Sequence, residues 1–583
     1  MTALLPFLRG LHLVCLVSLL GVLALPLAVA GGADAARAGV RPLARASLGG
    51  AVATLLLWLL AQTASFAGAD PGDWGEVAAA LPAVVARTRF GHVLVLRLVL
   101  LLAALPLLGR GRAAWTVAAV LAAMALATQT AIGHAGAAGG GVGTDLQASE
   151  ALHLIAAGVW LGGVVPLLRL LSVLPPAGAA AATRRFAWIG VPAVLVLMAT
   201  AFVQGDILIG GVGGLFGSAY GRTALLKVGL FVALIMLALV NRFVFVRRAG
   251  RALSVSIAAE ALLGAAVLFA AAALASDEPG AHIEPIWPFP LRPSLTALAE
   301  PELRAEIVTS TVFCALGALL VLGALAWRRG RWPLLATGLG TLWFAAPHLA
   351  PLLVDAYPTS YFVSPTGFSA ASILRGRQVF ADNCVSCHGA EGRGDGPQGR
   401  GLPVPPADLT AGHLWEHSDG ELFWWLTHGM DAPEGGLSMP GFAATLSEDD
   451  RWAAIDFIRA NNAGHAFRAA GAWPPAMTAP DIPLACPDGH DLALSDLRGD
   501  IRIATLPGAS APLPTAPPAA TLVPAVPQAL AAGVDGRCAI AGPQAWDALA
   551  ILFGVPPAAL AGRQGVLRPA AMPSGLHAHH HGG

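Results

Sequence analysis

Cys384-Val-Ser-Cys387-His388 places two thiols and an imidazole within five consecutive residues. This is the spacing of a c-type haem attachment run, in which two thioethers anchor the porphyrin and the adjacent His ligates the iron from one face. A zinc or thiol-redox site is the competing use of close cysteines, but no second Cys pair lies nearby to complete a zinc set. The opposite face of the iron needs its own ligand. Met439, in Ser438-Met-Pro-Gly-Phe442, is preferred over Met430, His428, His413 and His417 because of its Met-Pro-x-Phe context. Met/His ligation raises a haem's reduction potential. One covalent haem c with both axial positions filled carries electrons and leaves no position open for substrate.

A second group of chemistry-bearing residues lies in the apolar N-terminal half. His12, His92, His134, His153, His282 and His348 fall at similar depth in, or just outside, successive apolar segments. Ionisable groups at such positions are costly and face a polar interior or a partner, and imidazole is the commonest side-chain metal ligand. Hydrogen bonding to loops or headgroups is the alternative use of each. His12, His134 and His153 come from segments able to converge and are the candidate ligands of a soft-metal or haem site. Cys15 shares a helix face with His12 at i, i+3. Thiolate or thioether beside imidazole suits copper, Cu(I) above all. Met124, Met198, Cys15 and Cys314 read as packing residues.

The elements that must position these groups follow from composition. The chain of 583 residues is 56% hydrophobic and 12% charged, against about a quarter charged in ordinary globular domains. Ten apolar segments, near 10–30, 46–66, 91–108, 113–133, 149–170, 185–204, 221–243, 253–275, 306–327 and 332–353, have the length of membrane-crossing helices. A short helix near 74–88 is expected outside the bilayer. Arg residues crowd the loops after the odd spans, such as Arg37, Arg41 and Arg45, then Arg110 and Arg112, Arg247 and Arg248, and Arg328 and Arg329. The positive-inside rule makes those loops cytoplasmic, so both termini and the haem run face the periplasm of a bacterium. Ala28-Val-Ala30 has the look of a signal-peptidase site, but cleavage there would put the haem run inside the cell, so the first span is read as retained. The net charge is zero, which implies no affinity for nucleic acid.

Three resemblances then add to this reading. Ser149-Glu-Ala-Leu-His153 through Val159-Trp-Leu-Gly-Gly163, with Gly133-His134, Arg185-Phe186, Tyr220-Gly221, Leu226-Lys227 and Asn241-Arg242, resembles the copper resistance D family across about 1–290. The resemblance implies copper passage across the bacterial inner membrane. Trp160 and its glycines are expected to serve close helix packing, and Lys227 to line a polar interior or snorkel. The order of haem run, Gly/Pro-rich loops, Met-Pro and a closing helix capped by Ser447 resembles class I cytochromes c across 373–462. Ala479-Pro-Asp-Ile-Pro-Leu484, Leu494-Ser-Asp-Leu-Arg-Gly499, the strand-like Ile501-Arg-Ile-Ala-Thr505 and Gly562–Arg568 resemble thioredoxin-like redoxins and copper chaperones across 479–570. The Cys-x-x-Cys of such proteins is missing after Ile501, so no redox activity is carried over. Cys486 and Cys538 are free to pair or to be unrelated thiols.

The expected architecture is an all-α polytopic membrane bundle of about ten spans, with an α-helical cytochrome c domain and a small, degenerate α/β thioredoxin-like domain. Its divisions are 1–290 (copper resistance D-like), 291–355 (two further membrane helices), 356–372 (linker), 373–462 (cytochrome), 463–478 (linker), 479–570 (thioredoxin-like) and 571–583 (His-rich tail). His577, His579, His580 and His581 in that tail are candidate metal-collecting ligands. The expected function is copper transport or resistance with haem c as cofactor, copper as cargo, and a periplasmic redox partner or copper chaperone. The alternative is an electron-transfer protein with a b-type haem between His12 and His153, or His134 and His153, passing electrons from quinol to the c-type haem. Both describe a transporter or electron carrier rather than a dedicated catalyst.

Overall fold

The computed structural model describes residues 4–28, 33–70, 72–245, 251–432, 435–515 and 519–568. His577, His579, His580 and His581 lie outside the described residues. Two compact units are present, one running to Glu284 and one beginning at Pro285.

The first unit is built from α1 (Leu4–Ala28), α2 (Ala33–Ala67), α3 (Trp74–Arg87), α4 (Arg89–Ala104), α5 (Arg112–Ala127), the short α6 (His134–Ala137), α7 (Gly140–Val173), α8 (Pro176–Leu208), the short α9 (Gly211–Gly217), α10 (Ala219–Val240) and α11 (Arg251–Leu274). The expected surface helix is α3, capped by the Asp73 carboxylate. α1 and α7 are the two most enclosed spans. α1 packs on α2, α5, α7 and α11, and its Leu16, Leu19 and Leu23 are fully buried. It is therefore a member of the bundle.

The α1–α7 crossing depends on glycine. A Cβ on Gly21 would lie 1.9 Å from the Gly162 carbonyl carbon, and one on Gly162 1.9 Å from the Val17 oxygen. Backbone here lies against backbone, which only small residues allow. Trp160 is buried beside this seam and covers Gly190 on α8, so the expected packing role of Trp160 and its glycines holds.

The second unit opens with strand β1 (Leu291–Pro293), which pairs with β2 (Leu353–Asp355) and closes a helical hairpin of α12 (Pro301–Ala326) and α13 (Arg331–Ala345). Among the described residues nine helices are long and apolar enough to cross a membrane, the last being α12. The tenth expected span departs from that pattern. Its α-helix stops after 15 residues and continues as a 3₁₀ turn over Ala346–Leu352. Pro347 and Pro351 cannot donate the helical hydrogen bonds that would extend it.

The region around the Cys-x-x-Cys-His run comprises α14 (Ala370–Asn383), α15 (Val385–His388), α16 (Asp419–His428), the hairpin of β3 (Gly429–Asp431) and β4 (Leu437–Pro440), and α17 (Glu448–Ala470). α14 starts at Ala370 rather than Gly376, because the Ser369 hydroxyl caps it by accepting from Ser372 N. Gly376 instead lies inside the helix, where it meets α17. Both expected linkers are structured. Residues before 370 bond to the domain, with Thr359 Oγ1 donating to Gly420 O at 2.6 Å and Thr366 Oγ1 to Asp456 at 2.5 Å. α17 runs on to Gly471, whose left-handed φ of 68° ends it. Its last turns bury Phe467 against Trp473 and Phe553, and Trp473 Nε1 donates to Leu552 O at 2.7 Å. The Ala/Pro composition of 463–478 hid these two aromatic anchors.

The C-terminal part is a six-stranded sheet with order β10–β7–β8–β9–β5–β6. Its members are β5 (Pro483–Ala485), β6 (Leu492–Ala493), β7 (Asp500–Thr505), β8 (Ala520–Val526), β9 (Ala539–Ala541) and β10 (Gln564–Leu567), with α18 (Pro543–Leu552) following β9. β7 and β10 are the two strands expected at Ile501 and Gly562. β7, β8 and β9 run parallel, whereas β10 and β5 pair antiparallel to their neighbours. Cys486 and Cys538 form a disulfide.

Candidate functional site

The Cys-x-x-Cys-His run turns directly off α14. Cys384 is the helix C-cap, its N–H bonding to Phe380 O at 2.9 Å, and α15 carries Cys387 and His388. His388 Nδ1 lies 3.1 Å from the Ala407 carbonyl. A carbonyl only accepts, so Nδ1 holds the proton and Nε2 keeps its lone pair for a metal. The Gly-rich loop after the run is set against it backbone to backbone. Gly394 N donates to His388 O at 2.8 Å and Gly396 N to Cys387 O at 3.1 Å. A Cβ on Gly396 would lie 2.6 Å from Cys387 backbone atoms.

Met439, on β4, packs against the apolar cluster that holds Cys384, Phe380, Leu426 and Trp452. Met430, its partner across the β3–β4 pair, is 37% exposed. His428 stacks on Trp424, and His417 bonds to Glu421. Met439 thus packs against the same apolar cluster as Cys384. Two thiols, an imidazole with its Nε2 lone pair free, and a thioether packed beside Cys384 are donor types that fit a c-type haem.

Two charged networks brace this region. Glu421 on α16 accepts from Arg292 on β1 at 2.5 Å and from Ser418 N at 3.2 Å. Burial opposes its ionisation, but His417, Arg292 and Ser418 outweigh that and hold the carboxyl below its usual range. Arg459 ties α17 to the Asp419 carboxylate and to the Leu414 and His417 carbonyls. Asp456 on α17 is buried and accepts from Ser372 Oγ and Thr366 Oγ1, each at 2.5 Å. Burial pushes its pKa up to about 7, against the pull of those two hydroxyls.

In the membrane bundle, His12 Nδ1 lies 3.0 Å from Thr54 Oγ1. That hydroxyl lies 2.7 Å from Gly50 O on its own helix and spends its one proton there. Nδ1 must then donate, which leaves the lone pair of the neutral ring on Nε2. His12 Nε2 is buried without a hydrogen-bond partner. His153 repeats the arrangement: Nδ1 is 2.8 Å from Thr200 Oγ1, which donates to Val196 O at 2.6 Å. Two imidazoles are therefore set in the tautomer of His388, each by a threonine one helix away.

His12 and His153 also share a depth. Each lies nine residues before the glycine at the α1–α7 seam, Gly21 or Gly162, or about 14 Å along its helix. The two helices run the same way, since a Cβ on Gly133 would lie 3.5 Å from Arg9 and 3.9 Å from Glu150 near their starts. His134 differs. Its Nε2 lies 3.3 Å from Leu274 O and its ring faces Tyr220. Among the described residues, His12, His134 and His153 do not form one close trio of donors; each has its own partner.

Arg97 is fully buried on α4, donating to Thr128 Oγ1 at 2.9 Å and Gln129 Oε1 at 3.0 Å. Its guanidinium and that of Arg9 both face Trp58, as does the His12 ring. The sequence signal of this cluster is Arg97 itself, the lone charge in the middle of an apolar run. Lys227 lies within electrostatic reach of Glu150 and His153, which favours the polar interior over snorkelling.

Comparison with known proteins matches three stretches of the chain. Residues 1–144 match the Copper resistance protein D-like, N-terminal domain, and residues 180–274 match Copper resistance protein D. Residues 371–458 match Cytochrome C oxidase, cbb3-type, subunit III. The chain is 31% identical to the Copper transport protein CutJ of Bacillus subtilis over 38% of this chain and 43% of that protein. It is 33% identical to the Inner membrane protein YebZ of Escherichia coli over 20% and 41%, respectively. It is 35% identical to the Cbb3-type cytochrome c oxidase subunit FixP of Rhizobium meliloti over 13% and 23%. The chain thus spans less than half the length of these curated relatives. It is a multi-pass membrane protein that joins a copper resistance D-like domain to a cytochrome c domain.

Proposed function

We propose that this chain is a bacterial inner-membrane copper-handling protein whose haem c domain lies in the periplasm and is coupled to the copper it moves. The observation that carries the reading is the pair His12 and His153, held at one depth with Nε2 as the lone-pair nitrogen. An imidazole fixed in this way by its other nitrogen is prepared as a metal ligand. Because the three bundle histidines have separate partners, copper is handed between imidazoles rather than held by all three. The relatives named for copper transport and for an inner-membrane location support the same reading.

Cys384 and Cys387 would hold the haem, with His388 and Met439 as the ligands of its iron. When bound, that group supplies one-electron redox chemistry. The surrounding chain fixes the His388 tautomer through Ala407, keeps the Met439 side of the pocket apolar, and positions the attachment turn on α14. With a periplasmic redox protein as the reductant, this domain would pass one electron from it to Cu(II), giving Cu(I), the state that imidazole beside sulfur favours. The exchange partner is a periplasmic redox protein or copper chaperone.

Copper accumulation in cells carrying Cys384→Ser with Cys387→Ser tests the coupling. Reduced uptake, or copper retained as Cu(II), is expected. Unchanged uptake with an unchanged Cu(I) fraction would dismiss it. The same two lone-pair nitrogens also suit bis-imidazole ligation of a b-type haem. A pyridine haemochrome showing b-type haem besides c-type haem would favour that second reading, with quinol as the electron source.

A further inference from the structure

The described residues contain a third set of soft donors, on the C-terminal sheet. Cys486, Cys538 and His490 bring two sulfurs and a ring nitrogen within 4.8 Å of one another, and no other His, Cys or carboxylate trio among the described residues is so close. Their placement follows from the sheet. β5 and β9 pair antiparallel with Leu484 opposite Ile540 and Ala485 opposite Ala539. Cys486 and Cys538 are the next pair along this ladder, so the backbone holds them opposite each other whether or not their sulfurs are bonded. A tight turn then returns the chain: Gly489 N donates to Cys486 O at 3.1 Å, with Gly489 at a φ of 71°. His490 follows and its Nδ1 bonds to the Asp488 carboxylate. That carboxylate accepts from Nδ1–H and leaves Nε2 with the lone pair. Cys486 is buried, Cys538 half-buried and His490 exposed, so the set opens to solvent on one side.

We propose that Cys486, Cys538 and His490 form a Cu(I) site that is closed as a disulfide and opened by reduction. In the oxidised chain the sulfurs are bonded to each other and offer no thiolate. Reduction by a dithiol breaks the S–S bond: two electrons and two protons pass to Cys486 and Cys538, and the dithiol becomes a disulfide. Cu(I) then displaces the two thiol protons and takes two thiolates and one imidazole. Three soft donors match Cu(I), whereas structural zinc requires four. The site makes the domain a copper acceptor only under reducing supply. It does not rest on the proposed function of the bundle, because it needs no transport.

The test uses the full-length, haem-loaded protein in detergent. One sample is air-oxidised. A second is reduced with a phosphine, then freed of reductant under nitrogen. Both are titrated with Cu(I) against a chromophoric Cu(I) chelator. The reduced sample is expected to bind one more tight Cu(I) per chain than the oxidised one. Membrane histidines and the free thiols Cys15 and Cys314 are the same in both samples, so they cancel in the difference. Cys486→Ser removes the extra equivalent, and His490→Ala, an exposed position, weakens it at least tenfold. Copper X-ray absorption of the reduced sample should show sulfur and nitrogen ligands. An equal Cu(I) count in the two samples, or a reduced site that takes Zn(II) in preference to Cu(I), would overturn the proposal. Should Cys486→Ser fail to fold, the comparison of oxidised with reduced wild-type and His490→Ala chains decides.

Discussion

Gly376→Ala sets two opposing effects against each other inside the cytochrome domain. Alanine is the better helix former by about 1 kcal/mol in a helix interior, so α14 taken alone would gain. The tertiary contact opposes it. A Cβ on Gly376 would lie 1.8 Å from Ala453 O, 2.5 Å from Ala453 C and 2.9 Å from Phe457 Cβ. The first two are backbone atoms of α17 and cannot rotate away, so the helices must separate. Overpacking of this kind costs about 1–3 kcal/mol and occasionally more. Contact with backbone places this position at or above the upper end. A net loss of about 2 kcal/mol remains, about a thirtyfold fall in the folded-to-unfolded ratio. With a urea slope of about 1–3 kcal/mol per molar, the midpoint falls by about 1 M. Urea unfolding of the full chain in detergent, followed by haem absorbance, reads this directly. An unchanged or raised midpoint would refute the reasoning, because helix propensity would then outweigh the α14–α17 contact.

Asp456 makes stability fall as pH rises. The folded acid keeps its proton up to about 7, whereas the unfolded acid releases it near pH ~3.9. The native state thus binds more protons between those values, and its stability is lost progressively over that window and is flat above it. Asp456→Asn keeps an acceptor for Ser372 and Thr366, and urea midpoints at pH 5 and pH 7.5 should differ less in the variant than in the wild type. Met439→Leu should lower the haem potential and open a coordination position, while Met430→Leu leaves both unchanged; redox titration and binding of an added imidazole separate the two. Thr54→Val or Thr200→Val removes the hydroxyl that fixes a histidine tautomer, and copper affinity should fall about 10–100-fold. Copper uptake equal to wild type in both valine variants would remove the basis for His12 and His153 as ligands.

The amino-acid order alone determined whatever depends on neighbours in the chain. The haem run is local, because two cysteines and a histidine must share one turn. Met439 is marked by the proline and phenylalanine that follow it. Membrane spans are legible because a bilayer requires each helix to be apolar along its whole length, and nine of ten expected spans meet that length. The tenth shows the limit, since two prolines end its α-helix early. The supposed linkers misled for a related reason: average composition was polar or Ala/Pro-rich, while single residues such as Ser369, Phe467 and Trp473 carried the structure.

Tertiary structure decided everything that depends on which distant atoms meet. His12, His134 and His153 look equivalent in sequence, yet only His12 and His153 face a threonine that has already given its proton to its own helix. Arg97 is one charge in an apolar run until Thr128, Gln129 and Trp58 surround it. Cys486 and Cys538 are two isolated thiols until the β5–β9 register sets them opposite each other. Helix and strand periodicity place a side chain on a face. Hydrogen-bond direction, burial and metal-ligand geometry are fixed only by the atoms that the other elements bring to that face.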